Sequence, residues 1–213
     1  MLTIINTVLA VVLWSCSAQM PREKGTFKPT QLVELIKIDP TLKLDIRYAT
    51  ANNLAGKPLY RQARAFLQRD AALAVAQVNQ ELKPLGYGLM VFDGYRPWSV
   101  TKLFWDITSA QNRKFVANPK KGSRHNRGCA VDLTLYDLKT GKEVKMTGAY
   151  DEMSERSYPD YIGGTARQRQ MRNLLRSKME THGFTVFNVE WWHFDYKDWK
   201  QYRISNIPFE EIK

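Results

Sequence analysis

The chain has 213 residues, of which 44% are hydrophobic and 25% are charged. That composition is typical of a globular protein and excludes a disordered chain, a collagen-like repeat and a disulfide-stapled scaffold. Lysine and arginine number 32 against 21 acidic residues, and the net charge of +11 favours anionic surroundings such as nucleic acid, phosphate polymers or acidic lipid without choosing among them.

The chain begins with an apolar segment, residues 1–18, and carries no charged side chain before Arg22. The apolar run Leu2–Trp14 is followed by small residues and is too short for a membrane-spanning helix, which predicts a secretory signal peptide. The alternative is a lipoprotein signal with Cys16 as the acylated residue. Both interpretations predict export to the periplasm or the cell envelope.

The exported chain is predicted to comprise a polar tether, residues 19–30, and a single domain, residues 31–213. Cys129 is the only cysteine that remains after residue 18, so an intramolecular disulfide is excluded in that domain. The fold must therefore depend on its packed core and on any metal that it binds. Cys129 itself is predicted to be an inert, buried thiol.

Hydrophobic periodicity predicts the helices and strands of the domain. In chain order these are a half-buried strand over 42–48, a helix over 64–82, a short strand over 88–92, a helix over 98–111 capped by Ser99, a strand over 129–135, a helix over 166–181 and a strand over 184–189. A loop is predicted over 113–124, and a hairpin turn at Thr140-Gly141 leads into 143–146. Because strands and helices are interspersed without regular βαβ alternation, the predicted fold class is α+β.

An aspartate, Asp132, lies inside an apolar strand, between Val131 and Leu133. A carboxylate in that position is costly to bury unless a cation or hydrogen-bond donors compensate it. His125 precedes it by seven residues on a predicted loop, and Gly128 permits the tight turn that returns the imidazole to the same face. The segment therefore favours a site that combines the histidine with the aspartate.

The segment Glu190-Trp191-Trp192-His193 supplies a second histidine near the end of the chain. Two histidines and one carboxylate suit zinc with an open fourth position, where a bound water becomes a nucleophile near neutral pH. On a regular strand, residues three apart point to opposite faces. Glu190 and His193 can share one site only if a bulge or a strand end intervenes, and we predict that irregularity.

A third segment, Asp93-Gly94-Tyr95-Arg96-Pro97, follows the predicted strand over 88–92. Its arginine, fixed by the following proline, can place a permanent positive charge where an oxyanion develops. Each signal alone also fits a structural role: Arg96 could be an ion-pair partner, and Glu190 could be a surface charge. The third histidine, His182, lies at the end of the helix predicted over 166–181 and is predicted to cap that helix. Only their combination indicates catalysis.

Together the three segments resemble the D-alanyl-D-alanine dipeptidase family of zinc peptidases. The residues that carry the resemblance are Ser123-x-His125-x-x-Gly128-x-Ala130-x-Asp132, Glu190-x-x-His193 and Asp93-Gly94-Tyr95-Arg96-Pro97. The resemblance extends over about residues 30–205. It implies a single α+β domain with a mainly antiparallel sheet flanked by helices, the zinc fold shared with D,D-carboxypeptidases and the hedgehog signalling domain.

The resemblance also implies a role for each matching position. The implied ligands of one Zn²⁺ per chain are His125, Asp132 and His193. The implied catalytic residues are Glu190, as general base, and Arg96, which stabilises the tetrahedral intermediate. The substrate's free ammonium group is implied to bind Ser123 and Asp151. The implied reaction is zinc-dependent hydrolysis of the D-alanyl-D-alanine dipeptide of peptidoglycan metabolism.

Two alternative functions stay open. A D,D- or L,D-carboxypeptidase of the same fold would act on longer peptidoglycan stem peptides. A non-catalytic envelope-binding module would use its +11 charge to hold anionic polymers or membrane. We expect a small dipeptide as the substrate, association of the basic surface with anionic envelope polymers or membrane, and no nucleic acid, because basic and aromatic residues are not evidently interleaved.

Overall fold

The computed structural model describes residues 19–213, so the predicted signal segment, including Cys16, lies outside the described residues. The strands are β1 (Leu32–Glu34), β2 (Lys43–Leu44), β3 (Phe66–Gln68), β4 (Tyr87–Asp93), β5 (Ala130–Asp137), β6 (Phe184–Phe187) and β7 (Glu190–Tyr196). The helices are α1 (Leu35–Ile38), α2 (Arg69–Leu82), α3 (Trp98–Ile107) and α4 (Ala166–Thr181). No helix among these residues combines the length and the apolar composition that a bilayer span requires.

A five-stranded sheet with the order β2-β4-β5-β7-β6 forms the centre of the domain. Strand β2 pairs parallel to β4, and all the other neighbours in this sheet are antiparallel. Strands β1 and β3 form a separate antiparallel pair. Helices α2 and α4 contact the sheet and each other, so they cover one of its faces side by side. The predicted α+β fold with a mainly antiparallel sheet is confirmed.

The core lies between this helical layer and the sheet. Alternation along β5 places Val131, Leu133 and Leu135 on the face opposite Asp132, and all three are fully buried. Each such side chain contributes about 1.5–3 kcal/mol through removal of apolar surface from water. The register of β5 is therefore strongly specified, because a slip by one residue would exchange these side chains for Asp132.

The segment 19–30, predicted as a tether, contains no helix or strand. Part of it nevertheless packs on the domain. Glu23 forms an ion pair of 2.6 Å with Arg127 and accepts a hydrogen bond of 2.7 Å from the backbone N–H of Ile204. The backbone N–H of Lys28 donates to the carbonyl oxygen of Gln201 at 2.8 Å.

The helix predicted over 64–82 begins only at Arg69, so that prediction is wrong at its N-terminal end. Residues 66–68 instead form β3, which pairs with the unpredicted strand β1. A short apolar run fits a strand and a helical turn equally well. Pairing with β1 decides between them, and it buries all three residues of β3.

The strand predicted over 42–48 is wrong over most of its length. Only Lys43–Leu44 pair with β4, and Arg47–Ala49 form a 3-10 turn. Leu42 and Ile46 are nevertheless buried. The alternation therefore indicated which side chains face the core, although most of the segment does not pair as a strand.

The strand predicted over 184–189 is a shorter strand followed by a turn. Residues 184–187 form β6, and Asn188-Val189 connect it to β7. Asn188 favours a turn, but no glycine or proline accompanies it, so the hairpin signal in the sequence was weak. The hairpin is stabilised by pairing between the two strands, from Phe184 opposite Tyr196 to Phe187 opposite Glu190.

Helix α3 ends at Ile107, short of the predicted residue 111, and its N-cap residue is Pro97 rather than Ser99. The backbone N–H of Ser99 donates instead to the side chain of Asn206, 2.9 Å away. Helix α4 has its predicted bounds. It begins with a capping box, in which the side chains of Thr165 and Gln168 each accept a hydrogen bond from the other residue's backbone N–H.

The connections near the site are partly as predicted. The predicted loop over 113–124 starts with the end of a 3-10 turn, Ala110–Phe115, and is otherwise without helix or strand. The turn at Thr140-Gly141 is present, with Gly141 at φ +71°. The strand that was to follow it is reduced to a single bridge between Tyr136 and Glu143.

Strand register brings three polar residues into one row across the sheet. Asp132 of β5 lies opposite His193 of β7 and opposite Asp93 of β4. A register shift between Val91 and Asp93 ends the regular pairing of β4 at this point. The row lies where β4 ends, so the segment after it can turn over the sheet.

Gly94 follows that row and lies close to β3. A Cβ atom on Gly94 would lie 2.6 Å from the carbonyl oxygen of Phe66, which also accepts a hydrogen bond of 2.6 Å from the backbone N–H of Tyr95. Because the obstructing atom belongs to the backbone, no rotamer change can relieve the clash.

We expect Gly94→Ala to lower the free energy of unfolding by about 3 kcal/mol, measured by denaturant unfolding.

The matched control for this substitution is Gly56→Ala. No atom of residues 19–213 lies within 4 Å of a Cβ added at Gly56, so the left-handed backbone (φ +64°) is what opposes alanine there. The control should lose less stability than Gly94→Ala. Equal unfolding midpoints for Gly94→Ala and the wild type would contradict the close approach of the two segments.

Candidate metal centre and its pocket

The three residues with the sequence signature of metal ligands come together in the structure. His125 lies in a 3-10 turn before β5, Asp132 in β5 and His193 in β7, and all three are buried. Asp132 Oδ1 lies 3.3 Å from His125 Nε2 and 3.1 Å from His193 Nδ1, and the two ring nitrogens are 3.1 Å apart. Two nitrogens and one oxygen therefore face a common point.

The outer nitrogen of each imidazole has a partner that can only accept a hydrogen bond. His125 Nδ1 lies 2.7 Å from the carbonyl oxygen of Gly94, and His193 Nε2 lies 2.9 Å from a carboxylate oxygen of Asp195. Both outer nitrogens must therefore carry the proton and donate it. The inner nitrogens are left to bind either a proton or a cation.

Asp195 has no role in the sequence analysis, although a signal for it exists. It stands two residues after His193 on the same strand, so both side chains project from the same face. A carboxylate that accepts from the outer nitrogen of a histidine orients the ring and increases its basicity. This pairing is detectable in the sequence once β7 and its histidine are recognised.

The ionisation of the cluster shows how the buried carboxylate is balanced without a cation. Burial by itself lowers the pKa of His193, but the negative charges of Asp195 and Asp132 raise it to about 10. Burial opposes ionisation of Asp132, yet the neighbouring His125 and His193 imidazoles hold its pKa well below the ordinary value. The positive charge of His193 thus balances the negative charge of the ionised Asp132.

The residues present fit a divalent cation. Asp132 Oδ1 is shielded from solvent and lacks good hydrogen-bond geometry to either imidazole. A neighbouring cation would satisfy that oxygen and replace the protons on the inner nitrogens. Two imidazole nitrogens and one carboxylate oxygen are the donor set of many zinc sites that keep a fourth position open.

Arg96 lies beside the cluster, just after β4. Its Nε donates to Asp93 Oδ2 at 2.8 Å, and its Nη2 lies 3.4 Å from Asp132 Oδ2. The Tyr60 hydroxyl donates to the other Asp93 oxygen at 2.9 Å. Burial alone lowers the pKa of Arg96, but neighbouring Tyr48 and Asp93 outweigh it and raise the pKa well above its ordinary value. The guanidinium therefore remains cationic and held in place.

Glu190 shares the site with His193 because it is the first residue of β7. Its Oε2 lies 3.5 Å from His193 Nδ1. The register of the β6–β7 pair shifts between Val186 and Phe187, which pairs with Glu190, so the predicted strand irregularity is confirmed. Burial raises the pKa of Glu190 to about 8, against the opposing charge of His193. A carboxyl group with that pKa can both accept and release a proton near neutral pH.

Ser123 and Asp151 line the same cavity as the cluster. Ser123 Oγ accepts a hydrogen bond of 3.2 Å from the backbone N–H of His125. Asp151 Oδ1 accepts from the Tyr48 hydroxyl at 3.1 Å, while its Oδ2 is shielded from solvent and has no donor among the described residues. Burial, and then the charge of Asp132, raise the pKa of Asp151 to about 7. Its backbone is left-handed, with φ +60°.

The cavity is small, with a volume of about 120 Å³. Polar groups of the cluster lie together with Arg96, Ser123, Asp151 and Glu190 in its wall. The remaining wall is largely apolar and includes Leu54, Phe115, Val116, Met153 and Phe187. Its charged side chains are Lys114, Arg124 and Glu152. The arrangement suits a small polar ligand with an apolar body.

Two other residues discussed from the sequence lie outside this cavity. His182 is the C-cap residue of α4, as predicted, and its Nε2 lies 2.9 Å from Glu81 of α2. Cys129 is fully buried, and burial raises the pKa of its thiol to about 12. The thiol therefore stays protonated at neutral pH, which agrees with the predicted inert cysteine.

Comparison with known proteins gives one consistent family. The family model of peptidase family M15, described as D-ala-D-ala dipeptidase, matches residues 28–210. The chain is 36% identical over 166 residues to the D-alanyl-D-alanine dipeptidase of Escherichia coli, covering 78% of this chain and 84% of that protein. It is also 36% identical over 171 residues to the D-alanyl-D-alanine dipeptidase of Enterococcus faecalis, covering 72% and 85%.

Among solved structures, the LdcB LD-carboxypeptidase aligns with a TM-score of 0.46 and 18% sequence identity. The alignment covers 80% of this chain and 69% of that chain.

The contact between His193 and Asp195 leads to a test of the metal centre. We expect Asp195→Asn to weaken zinc binding by about 10–100-fold, because the amide still accepts the hydrogen bond but no longer supplies negative charge to the imidazole. Competition with a chromophoric chelator measures this affinity. Asp198→Asn is the matched control, since among residues 19–213 that side chain accepts only from the side chain of Gln201. Equal affinities for the two variants would refute the orienting role of Asp195.

Proposed function

Because the chain belongs to the D-alanyl-D-alanine dipeptidase family of M15 peptidases, we propose that it is a zinc metallopeptidase that hydrolyses the D-alanyl-D-alanine dipeptide with one Zn²⁺ per chain. The observation that carries this proposal is the convergence of His125, Asp132 and His193 around one point, with Glu190 3.5 Å from the third of them. Zn²⁺ would be held by the two imidazoles and Asp132.

When bound, the cation supplies Lewis acidity, which makes water a better acid and polarises an amide carbonyl. Glu190 supplies the proton transfer that hydrolysis also needs. Its carboxylate takes a proton from the attacking water and then delivers it to the leaving amine. Burial, which raises the pKa of Glu190, makes its carboxylate a stronger base than an exposed glutamate.

Arg96 supplies a fixed positive charge for the negative oxygen that develops during attack on the amide. Its Nε is held by Asp93, so the guanidinium cannot turn away from the site. A donor that is oriented before the reaction costs no reorganisation when charge develops. Because its pKa lies well above the ordinary value, Arg96 stays protonated around neutral pH, and this contribution does not change there with pH.

Asp151 supports a dipeptide substrate over a longer peptide. Its unpaired Oδ2 can accept from the free ammonium group of a dipeptide, together with Ser123. In a longer stem peptide, an uncharged amide nitrogen stands in place of that ammonium group. A carboxylate shielded from solvent would then lack its countercharge, which is costly.

The localisation and the surface partners proposed here rest on the sequence. The apolar segment 1–18 supports export to the periplasm or cell envelope, with lipidation at Cys16 as the alternative to release. The net charge of +11 supports association with anionic envelope polymers or membrane. An exported chain of this kind is not expected to bind nucleic acid.

The central test of this function is Glu190→Gln. We expect the variant to bind zinc as the wild type does and to release D-alanine from D-alanyl-D-alanine about 10²–10⁴-fold more slowly, because the amide cannot carry the proton. Metal content and D-alanine release are measured on the same samples. Full activity in this variant would exclude Glu190 as the base.

The same assay distinguishes the alternative functions. Wild-type protein should hydrolyse the free dipeptide much faster than a pentapeptide stem that ends in D-alanyl-D-alanine. Turnover of the pentapeptide alone would support the carboxypeptidase alternative. Zinc binding without turnover of either peptide would support the non-catalytic envelope-binding module.

The role of Asp151 predicts a pH dependence of KM. With a pKa of about 7, the carboxyl group is protonated and uncharged at lower pH, so KM for the dipeptide should rise as pH falls below 7. Asp151→Asn should raise KM by about 10–100-fold at pH 8 and remove this dependence, since a charge-assisted hydrogen bond is lost. An unchanged KM with a reduced kcat would show that Asp151 does not bind the substrate.

A further inference from the structure

The two oxygens of the Asp132 carboxylate have different surroundings. Oδ1 faces the inner imidazole nitrogens. Oδ2 accepts a hydrogen bond of 3.0 Å from the Tyr150 hydroxyl and lies 3.4 Å from Arg96 Nη2. Tyr150 has no role in the mechanism described above, although its hydroxyl is the nearer donor to this oxygen.

The ring of Tyr150 is held from two sides by neighbours of the site residues. It stacks on Phe92, which precedes Asp93 in β4, with a centroid distance of 4.4 Å and an interplanar angle of 25°. It also meets Trp192, which precedes His193 in β7, edge to face at 5.5 Å. These contacts restrict the ring and so fix the direction in which its hydroxyl points.

The backbone places Tyr150 and Asp151 in the same site although they are consecutive. In an extended segment, successive side chains point to opposite sides. The left-handed conformation of Asp151, with φ +60°, departs from that rule. One side chain reaches Asp132 while the next lines the cavity. A non-glycine residue in this conformation costs about 1–3 kcal/mol, which is consistent with a functional constraint.

We infer that Tyr150 is a positioning residue, whose hydroxyl holds Asp132 Oδ2 so that only Oδ1 is presented to the metal and Arg96 is left for the substrate. This inference rests on the proposed zinc-dependent function. Without the hydroxyl, Arg96 would be the one remaining donor in contact with Oδ2 among the described residues. The guanidinium would then be drawn towards Asp132, and the carboxylate would be free to rotate.

Tyr150→Phe tests this role, because it removes one oxygen and keeps the ring between Phe92 and Trp192. We expect zinc affinity, measured by competition with a chromophoric chelator, to fall at least tenfold, in line with the loss of other partners that orient metal ligands. The value of kcat for the dipeptide should fall as well, with KM changed less than twofold, because the ammonium-binding residues are untouched.

The matched control is Tyr136→Phe. Tyr136 lies in β5, the strand of Asp132, and its hydroxyl donates to the backbone oxygen of Thr41 at 3.1 Å. This variant loses a comparable hydrogen bond without touching Asp132, so its zinc affinity and kcat should equal those of the wild type. Thermal unfolding of both metal-free variants shows whether folding is affected, and similar midpoints are expected.

Three outcomes would overturn the inference. Zinc affinity of Tyr150→Phe within twofold of the wild type would show that the hydroxyl does not position the ligand. An equal loss in Tyr136→Phe would show a general effect of lost stability. Failure of the wild type to bind zinc would overturn both this inference and the proposed function. If instead the wild type and Tyr150→Phe bind zinc equally well and both show zinc-dependent turnover, only the inference about Tyr150 fails.

Discussion

A carboxylate buried in the middle of a β-sheet is the constraint on which the rest of the site depends. Asp132 lies almost entirely out of solvent in β5, where an uncompensated negative charge would be strongly destabilising. Two imidazoles compensate it at one oxygen, and a phenol and a guanidinium do so at the other. Because this balance leaves Oδ1 facing two ring nitrogens, the same arrangement that permits burial also prepares a place for a cation.

Strand register makes that arrangement rigid. Asp93, Asp132 and His193 occupy one row across three neighbouring strands, so their separation is set by backbone hydrogen bonds rather than by flexible loops. The groups proposed to move a proton or to meet the substrate lie at the margins of this row. Glu190 is the first residue of its strand, and Asp151 lies outside the sheet with a left-handed backbone conformation. Asp132 and His193, inside the row, are therefore held rigidly enough to bind a metal. Glu190 and Asp151, at its margins, are placed for proton transfer and substrate binding.

Two carboxyl groups in the cavity have pKa values raised by burial, and their neighbours distinguish them. Glu190, with a pKa of about 8, lies against His193. Asp151, with a pKa of about 7, is held by Tyr48 through one oxygen, and its other oxygen is unpaired. The first is placed for proton transfer beside a metal ligand, and the second for pairing with a cation of the substrate. Environment, not residue type, divides these roles.

The sequence by itself determined the features that depend on local chemistry. An aspartate among apolar residues, only three histidines in the chain and an apolar stripe at helical spacing are visible without any tertiary contact, and they predicted the candidate ligands, helix α4 and the buried face of β5. Only the tertiary structure decided that residues 66–68 form a strand, that β6 and β7 form a hairpin, and that the Tyr150 hydroxyl meets Asp132. Those features depend on which segments meet across the sheet, and a hydrogen bond or strand pairing leaves little trace in the composition of either segment alone.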